Sequence, residues 1–352
     1  MKGIVFLGER EIELRDFADP TPGPRDVILE IRASGMCGTD LKAYRPKFEP
    51  GAIRGGIKRA ADPMIAGHEP CGVVVEVGAA VTEREARVGD RVMDHHYDGC
   101  GVCRHCQSGW TQMCVDGAIV FGSVGHGAHA KYMRVPAHTL VGLPEDLSFE
   151  AGAAISCGTG TAYGALKRLG LEGDETMAVF GQGPVGLSAT QLGVAMGARV
   201  IAIDISPERR QMALDKGAHA VIDPLADDPV TAIKDLTHGE GAHKTLDASS
   251  SADARRAAVQ ATRAWGTACF VGEGGEVMFE VSPDLIRRQV TLMGHWTFSK
   301  VGQADCARFV SDRKIDVDSL FTHKWSLDQA DEAYKLFDQQ KTGKGVFLPN
   351  GS

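Results

Sequence analysis

Four cysteines, Cys100, Cys103, Cys106 and Cys114, stand in one glycine-rich stretch at C-x2-C-x2-C-x7-C spacing. Thiolates bind zinc tetrahedrally at about 2.3 Å, and a short loop converges four sulfurs only when a few pliant residues separate them. Gly99, Gly101 and Gly109 supply such backbone. Protein would fill all four positions and leave none for water or substrate, so the expected zinc is structural. Disulfides are the competing chemistry, but cysteines so close in sequence bridge poorly and nothing marks the chain as secreted. A second motif is Gly181-Gln-Gly183-Pro184-Val185-Gly186. It follows the apolar run Thr176–Phe180 and opens a helical stretch, Val185–Met196. A second apolar run, Arg199–Ile203, then ends at Asp204, 18 residues past Gly186. That context predicts dinucleotide binding. Gly181 makes the tight turn, Gly183 admits the pyrophosphate, and Gly186 lets helix and strand pack closely. The pyrophosphate would face free N–H groups at the helix start. Asp204 would accept hydrogen bonds from both adenosine ribose hydroxyls and repel a 2′-phosphate, which favours NAD over NADP. Arg209 belongs with the cofactor residues, but it and Arg210 stand too far along the next helix to offset a 2′-phosphate.

The elements that would carry these motifs change texture along the chain. Up to about residue 150, short β-branched or alternating runs dominate: Ile4–Leu7, Val27–Arg32, Gly72–Val77, Arg91–Met93 and Lys131–Val135. Turn signals such as Pro20–Pro24 separate them, so this half leans to all-β. Beyond it, apolar runs at 176–180, 199–203, 244–247 and 268–271 alternate with Ala-rich helical stretches. That is the pattern of a doubly wound parallel sheet in an α/β fold. An amphipathic helix near Leu327–Asp338 and a strand at Gly345–Leu348 close the chain.

Composition narrows the function. The 352 residues are 43% hydrophobic and 24% charged, and they allow two domains of ordinary size. A formal charge of −8 disfavours nucleic acid as a partner. No run of about 18 apolar residues predicts a membrane span, and the N-terminus has no apolar signal segment. Nine cysteines, an odd number, suit thiols serving metals in a reducing compartment, so a cytoplasmic enzyme is expected.

The segments GMCGTDL at 35–41, GHEPCGVVVEVG at 67–78, CGVCRHCQSGWTQMC at 100–114 and GQGPVG at 181–186 resemble the zinc-containing medium-chain alcohol and polyol dehydrogenases. The resemblance runs in order over most of the chain. It implies a GroES-like catalytic domain over 1–150 carrying the structural zinc loop, a Rossmann NAD domain over 151–298, and a return to the catalytic domain over 299–352. It also joins three residues that spacing could not, since the gaps are 31 and 89: Cys37, His68 and Cys157 would hold a second, catalytic zinc. Three protein ligands leave the fourth position open for chemistry. Glu69 matches the glutamate that approaches the metal during ligand exchange, Asp40 the carboxylate that orients the ligating histidine, and Thr39 the hydroxyl that takes the substrate proton. In the polyol branch the third ligand is often glutamate, and Glu150 lies nearby; CGTGTAY at 157–163 favours Cys157.

The resemblance further places His96 in the substrate pocket, with Glu273 and Trp296, and puts Val271 and His295 near the nicotinamide. Two departures stand out. Lys42 occupies the position where the family often has the histidine that passes the proton to solvent. The stretch after Cys37 is long and carries Arg45, Lys47, Arg54, Lys58 and Arg59 against Glu49 and Asp62, either a solvated loop or a basic rim for an anionic substrate. Cys71, Cys269 and Cys306 read as packing, and His126, His129 and His138 carry no assigned role. The expected reaction is hydride transfer between NAD and a polar secondary alcohol (polyol, cyclitol, sugar or hydroxy acid), giving a ketone. Simple alcohols or aldehydes, a zinc-free reductase of the same superfamily and a non-catalytic NAD-binding protein are the alternatives. The resemblance also implies a homo-oligomer, dimer or tetramer, paired through the segment 280–298.

Overall fold

The chain forms two units, seen in a computed structural model that describes residues 1–51 and 60–350, with only backbone for the short strands Ile53–Arg54 and Ile57–Lys58 between them. One unit comprises Met1–Gly160, Phe298–Gln340 and the chain from Lys344 on; the other comprises Thr161–Thr297 with Lys341–Gly343.

The first unit is built around the strand Asp26–Gly35, whose apolar residues Val27, Leu29, Ile31 and Ala33 are all completely buried. It pairs antiparallel with Pro70–Val77 on one side; on the other it meets Tyr132–Pro136 at its start and Lys344–Phe347 at its end. The sheet order is Leu140–Gly142, Arg91–Asp94, Pro70–Val77, Asp26–Gly35, Lys344–Phe347, Phe321–Trp325. One strand therefore ties the C-terminal return to the N-terminal half. Register slips opposite Ile28/Leu29 and Ile31/Ala33 bend it, and such bulges re-aim side chains near functional sites. The closing helix, Ala330–Asp338, buries Ala330, Ala333, Tyr334 and Phe337 at three- and four-residue spacing. These join Ile4, Phe6, Leu41, Tyr44 and Phe347 in one apolar cluster. Each large side chain buried there is worth roughly 1.5–3 kcal/mol.

The first unit continues to Gly160, past the expected break at 150. The reason is the helix Phe149–Ile155, capped by Ser148 Oγ accepting from Ala151 N at 2.9 Å. It packs on the strands Asp26–Gly35 and Pro70–Val77, so closely that a Cβ on Gly152 would lie 2.3 Å from Cys71 Sγ.

The second unit is a six-stranded parallel sheet in the order Ala220–Ile222, Arg199–Ile203, Thr176–Phe180, Ala242–Asp247, Thr262–Phe270, Thr291–Gly294. All five residues of Thr176–Phe180 are buried, as expected of a parallel strand covered on both faces. Strand order reverses there, and ligands of such sheets bind at the carboxyl ends beside the reversal. The strand Thr262–Phe270 starts earlier than the apolar run predicts, with Trp265 exposed at φ 64° and a register slip opposite Ala242/Lys244. Of its first five residues Thr262 pairs with Ala242, and the ladder resumes at Thr267 opposite Lys244. Among the described residues, no helix is long and apolar enough to cross a membrane.

Beside that strand a buried ion pair joins Arg255 Nε to Asp247 Oδ2 at 3.2 Å, and Arg255 Nη2 also donates to Gly272 O. Removing one partner strands the other charge in the core. Arg255→Met should therefore destabilise this unit by about 3–5 kcal/mol. A melting temperature equal to that of the unmodified protein would contradict the reading.

Candidate metal centres and nucleotide-binding turn

Cys100, Cys103, Cys106 and Cys114 are free thiols whose sulfurs lie within 4.8 Å of one another. Glycine makes this convergence possible: a Cβ on Gly99 would stand 2.6 Å from Cys106 Sγ. Gly101 at φ 73° and Gly109 at φ 82° adopt backbone that other residues resist. Backbone N–H groups already point at sulfur, Cys100 N to Cys114 Sγ at 3.3 Å and Cys103 N to Cys100 Sγ at 3.4 Å. Backbone donors from Cys106 and Val115 pull the Cys103 thiol down to about 6. Four unbridged thiols beside N–H donors are a donor set suited to zinc.

The second cluster lies inside the first unit. Cys37 follows the strand Asp26–Gly35, His68 precedes Pro70–Val77, and Cys157 sits between the helices Phe149–Ile155 and Gly158–Leu169. Ligand atoms of Cys37, His68, Glu69 and Cys157 fall within 4.8 Å of one another, with all four residues shielded from solvent or nearly so. The two sulfurs are 3.8 Å apart. Sulfurs on a tetrahedral zinc with 2.3 Å bonds stand about 3.8 Å apart, so the spacing fits that ion. The Cys157 thiol, donating to Cys37, pulls Cys37 well below the ordinary thiol range. Glu150 lies apart from the cluster, paired with Lys324 Nζ at 2.6 Å.

Asp40 Oδ1 meets His68 Nδ1 at 3.0 Å, leaving Nε2 as the ring atom available to a metal. Burial would raise the Asp40 carboxyl, but His68 and the backbone N–H of Cys37 hold it below its usual value. Glu69 forms a buried ion pair with Lys344, while burial pushes its carboxyl up to about 8. Gly35 gives Glu69 its room: a Cβ there would lie 1.9 Å from Glu69 Oε2. The His96 ring centroid is 5.1 Å from that of His68. His96 Nδ1 donates to Ser156 O at 3.0 Å, which leaves Nε2 as an acceptor. Thr39 and Lys42 are exposed on the turn that follows Cys37. Arg45 is committed to Asp338 at 2.5 Å, and the side chains of Arg54, Lys58 and Arg59 lie outside the described residues. Sequence reasoning missed Lys344 and left His129 unassigned; no local motif marks either.

In the second unit, Gly181 turns at φ 87°, and a Cβ on Gly186 would lie 1.7 Å from Gly181 O. The helix Pro184–Ala195 begins with proline in its first turn and Val185 beside it. Asp204 caps this turn, its Oδ2 accepting from Gln182 N at 2.6 Å and its Oδ1 from Ser206 N at 2.8 Å. Arg209 comes nearer than its helix position suggests: its Nη1 lies 4.0 Å from where a Gly183 Cβ would stand, while Nε donates to Thr342 O. Arg210 pairs with Asp223 at 2.9 Å, and its Nη1 donates to Asp204 O at 2.8 Å and Ile205 O at 3.0 Å. Val271 N donates to Asp247 O at 2.9 Å. His295 is buried, its Nδ1 3.4 Å from Arg168 Nη1, and burial lowers it to about 4. Glu273 and Trp296 are exposed.

Residues 23–145 match the alcohol dehydrogenase GroES-like domain and residues 184–312 match the zinc-binding dehydrogenase domain. An uncharacterized zinc-type alcohol dehydrogenase-like protein of Escherichia coli K12 is 38% identical, over 98% of both chains. This chain belongs to the zinc-type alcohol dehydrogenases. L-galactonate-5-dehydrogenase of Escherichia coli K12 is 29% identical over 98% of both chains. The alcohol dehydrogenase of Thermus sp. ATN1 superposes with a TM-score of 0.86 at 28% identity over 99% of both chains. The enzyme is thus an oxidoreductase with a GroES-like and a Rossmann domain.

The two clusters predict separable metals. Metal analysis should find two zincs per chain. Cys103→Ser should lose one zinc and melt at lower temperature, because a structural ion contributes folding energy. Cys37→Ser should lose the other zinc and the activity while the fold persists. One zinc in the native enzyme, with Cys37→Ser fully active, would overturn the assignment.

Proposed function

We propose that this enzyme oxidises a polar secondary alcohol (a polyol, sugar, cyclitol or hydroxy acid) to the ketone with NAD, using a zinc held by Cys37, His68 and Cys157. The observation that carries this is the buried cluster with its two sulfurs at 3.8 Å. When bound, zinc supplies a Lewis acid that lowers the pKa of a coordinated hydroxyl, and NAD supplies the hydride acceptor. The residues do the rest. Asp40 fixes the His68 ring in the tautomer that presents Nε2. Glu69, anchored by Lys344, stands within the ligand set and is available while water and substrate exchange. Thr39 takes the substrate proton at Oγ1 and hands it outward, since a hydroxyl both accepts and donates. His96 offers Nε2 to a second substrate hydroxyl. That acceptor, set against His68, favours a polyhydroxylated substrate over a plain aliphatic one, in keeping with the sugar-acid substrate named for the L-galactonate relative.

The nucleotide turn formed by Gly181, Gly183, Pro184, Val185 and Gly186 would seat the pyrophosphate, and Asp204 the adenosine ribose. Arg209 would meet the phosphates, with Val271 and His295 toward the nicotinamide and Glu273 and Trp296 toward the substrate. The edge strand Thr291–Gly294, with Met278, Val281 and Ile286 exposed in the segment that precedes it, would pair two copies across a two-fold axis in a dimer or tetramer. Nine free thiols suit the reducing cytoplasm.

Two experiments test the reading. Rates with a panel of secondary alcohols, followed by NADH absorbance, should rank polyols and hydroxy acids above simple alcohols. His96→Phe should lower kcat/KM for the preferred polyol by roughly 5–150-fold, the effect of leaving one substrate hydroxyl unpaired at about 1–3 kcal/mol. Equal loss for a plain alcohol would remove His96 from the pocket. Asp204 contributes charge-assisted hydrogen bonds to NAD worth about 1.5–3 kcal/mol each. Asp204→Ala should therefore weaken NAD binding strongly and leave NADP unchanged or improved, with Arg209 beside the turn. Faster turnover of the unmodified enzyme with NADP at equal low concentration would reverse the assignment.

A further inference from the structure

Asp40 is held from two sides. His68 Nδ1 lies 3.0 Å from Oδ1, and Cys37 N donates to Oδ2 at 2.8 Å. A third contact comes from far along the chain: Tyr334 OH reaches Oδ2 at 3.2 Å. Behind Tyr334 stands His129, Nε2 to the tyrosine oxygen at 2.8 Å, and behind His129 stands Ser34, Oγ to Nδ1 at 2.7 Å. Tyr334, His129 and Ser34 are completely buried, and Asp40 is 5% exposed.

The hydrogens in this row can be assigned by elimination. Tyr334 donates its hydroxyl proton to Asp40 Oδ2, the oxygen that also accepts from Cys37 N. The tyrosine oxygen then accepts from His129, which must carry its hydrogen on Nε2. Burial lowers His129 to about 4, so the ring is neutral and Nδ1 has a free lone pair. Ser34 donates to that lone pair. Every donor points the same way, toward the carboxylate that holds His68, and aligned hydrogen bonds polarise one another.

The backbone is arranged for this row. Ala128 N donates to Gly67 O at 2.9 Å and His129 N to Ala66 O at 2.8 Å, which lays the His129 ring against the residue before His68. Gly67 has φ 90°, and a Cβ there would stand 2.4 Å from His129 Nδ1. Packing does not require the tyrosine hydroxyl. The ring of Tyr334 sits among Phe6, Tyr44, Phe337 and Phe347, where phenylalanine would fill the same space.

We propose that Tyr334, His129 and Ser34 are positioning residues of the catalytic metal centre, a one-way file of hydrogen bonds that fixes Asp40 and through it the His68 ring. The file rests on the reading of His68 as a metal ligand, and the experiment separates the two.

The test is the rate at which a chelator strips zinc from the full-length, metal-loaded enzyme, with the melting temperature measured in parallel. Outer partners of metal ligands typically change metal affinity by about 10–100-fold. Tyr334→Phe should release one zinc roughly tenfold faster or more, keep the other at the unmodified rate, and stay folded with a melting temperature lowered by no more than a few degrees, the cost of leaving His129 Nε2–H unpaired. Ser34→Ala, at the far end, should shift the same zinc in the same direction by a smaller factor, and it decides the matter alone if Tyr334→Phe does not fold. The 15N spectrum should show His129 as the neutral Nε2–H tautomer. Unchanged release in both variants, faster release of both zincs with a lowered melting temperature, or the Nδ1–H tautomer would overturn the proposal. His68→Ala retaining both zincs would instead remove the metal reading beneath it, and the proposal with it.

Discussion

Two cysteine sulfurs 3.8 Å apart in a buried cluster, with a histidine and a glutamate in the same 4.8 Å set, are a costly arrangement. Thiolates and carboxylates removed from water repel one another and lose hydration, and a chain retains such a set only when something compensates. Much of the first unit compensates. Asp40 holds His68, Lys344 neutralises Glu69, and the backbone N–H of Cys37 meets Asp40. The compensating groups come from both ends of the chain, which is why one sheet must contain the strands Asp26–Gly35 and Lys344–Phe347 side by side.

Close approach is the second theme, and glycine serves it in both units. Gly35 lets Glu69 stand beside a strand end, Gly67 admits His129, Gly99 lets sulfurs converge, and Gly186 lets a helix start lie on the turn at Gly181. At each place a methyl group would fall 1.7–2.6 Å from another atom. The sites therefore depend on absent side chains as much as on present ones.

Much of this was legible in the order of residues. The cysteine knot and the glycine turn are local: their members are a few residues apart, and loop geometry alone brings them together. Strands such as Thr176–Phe180 and Arg199–Ile203 end where the apolar runs end, because the buried runs give way there to Gly181 and Asp204, residues that favour a turn. The cluster of Cys37, His68 and Cys157 was legible only through resemblance, because its gaps of 31 and 89 residues are closed by the sheet and not by any local rule.

What only tertiary structure decided is the company each residue keeps. Glu150 and Cys157 were both candidate ligands; the fold pairs the first with Lys324 and sets the second against Cys37. Arg209 looked too distant from the turn, yet its long side chain folds back to Gly183. Lys344 reads as an ordinary strand residue and His129 as an unplaced histidine, while pairing of segments more than sixty positions apart makes one the partner of Glu69 and the other part of the row behind Asp40. Sequence by itself determined the chemistry available, since residue type and short spacing fix what a loop can bind. Tertiary structure decided which buried charges meet, because desolvation makes that choice decisive and only the folded chain brings distant positions within hydrogen-bonding reach.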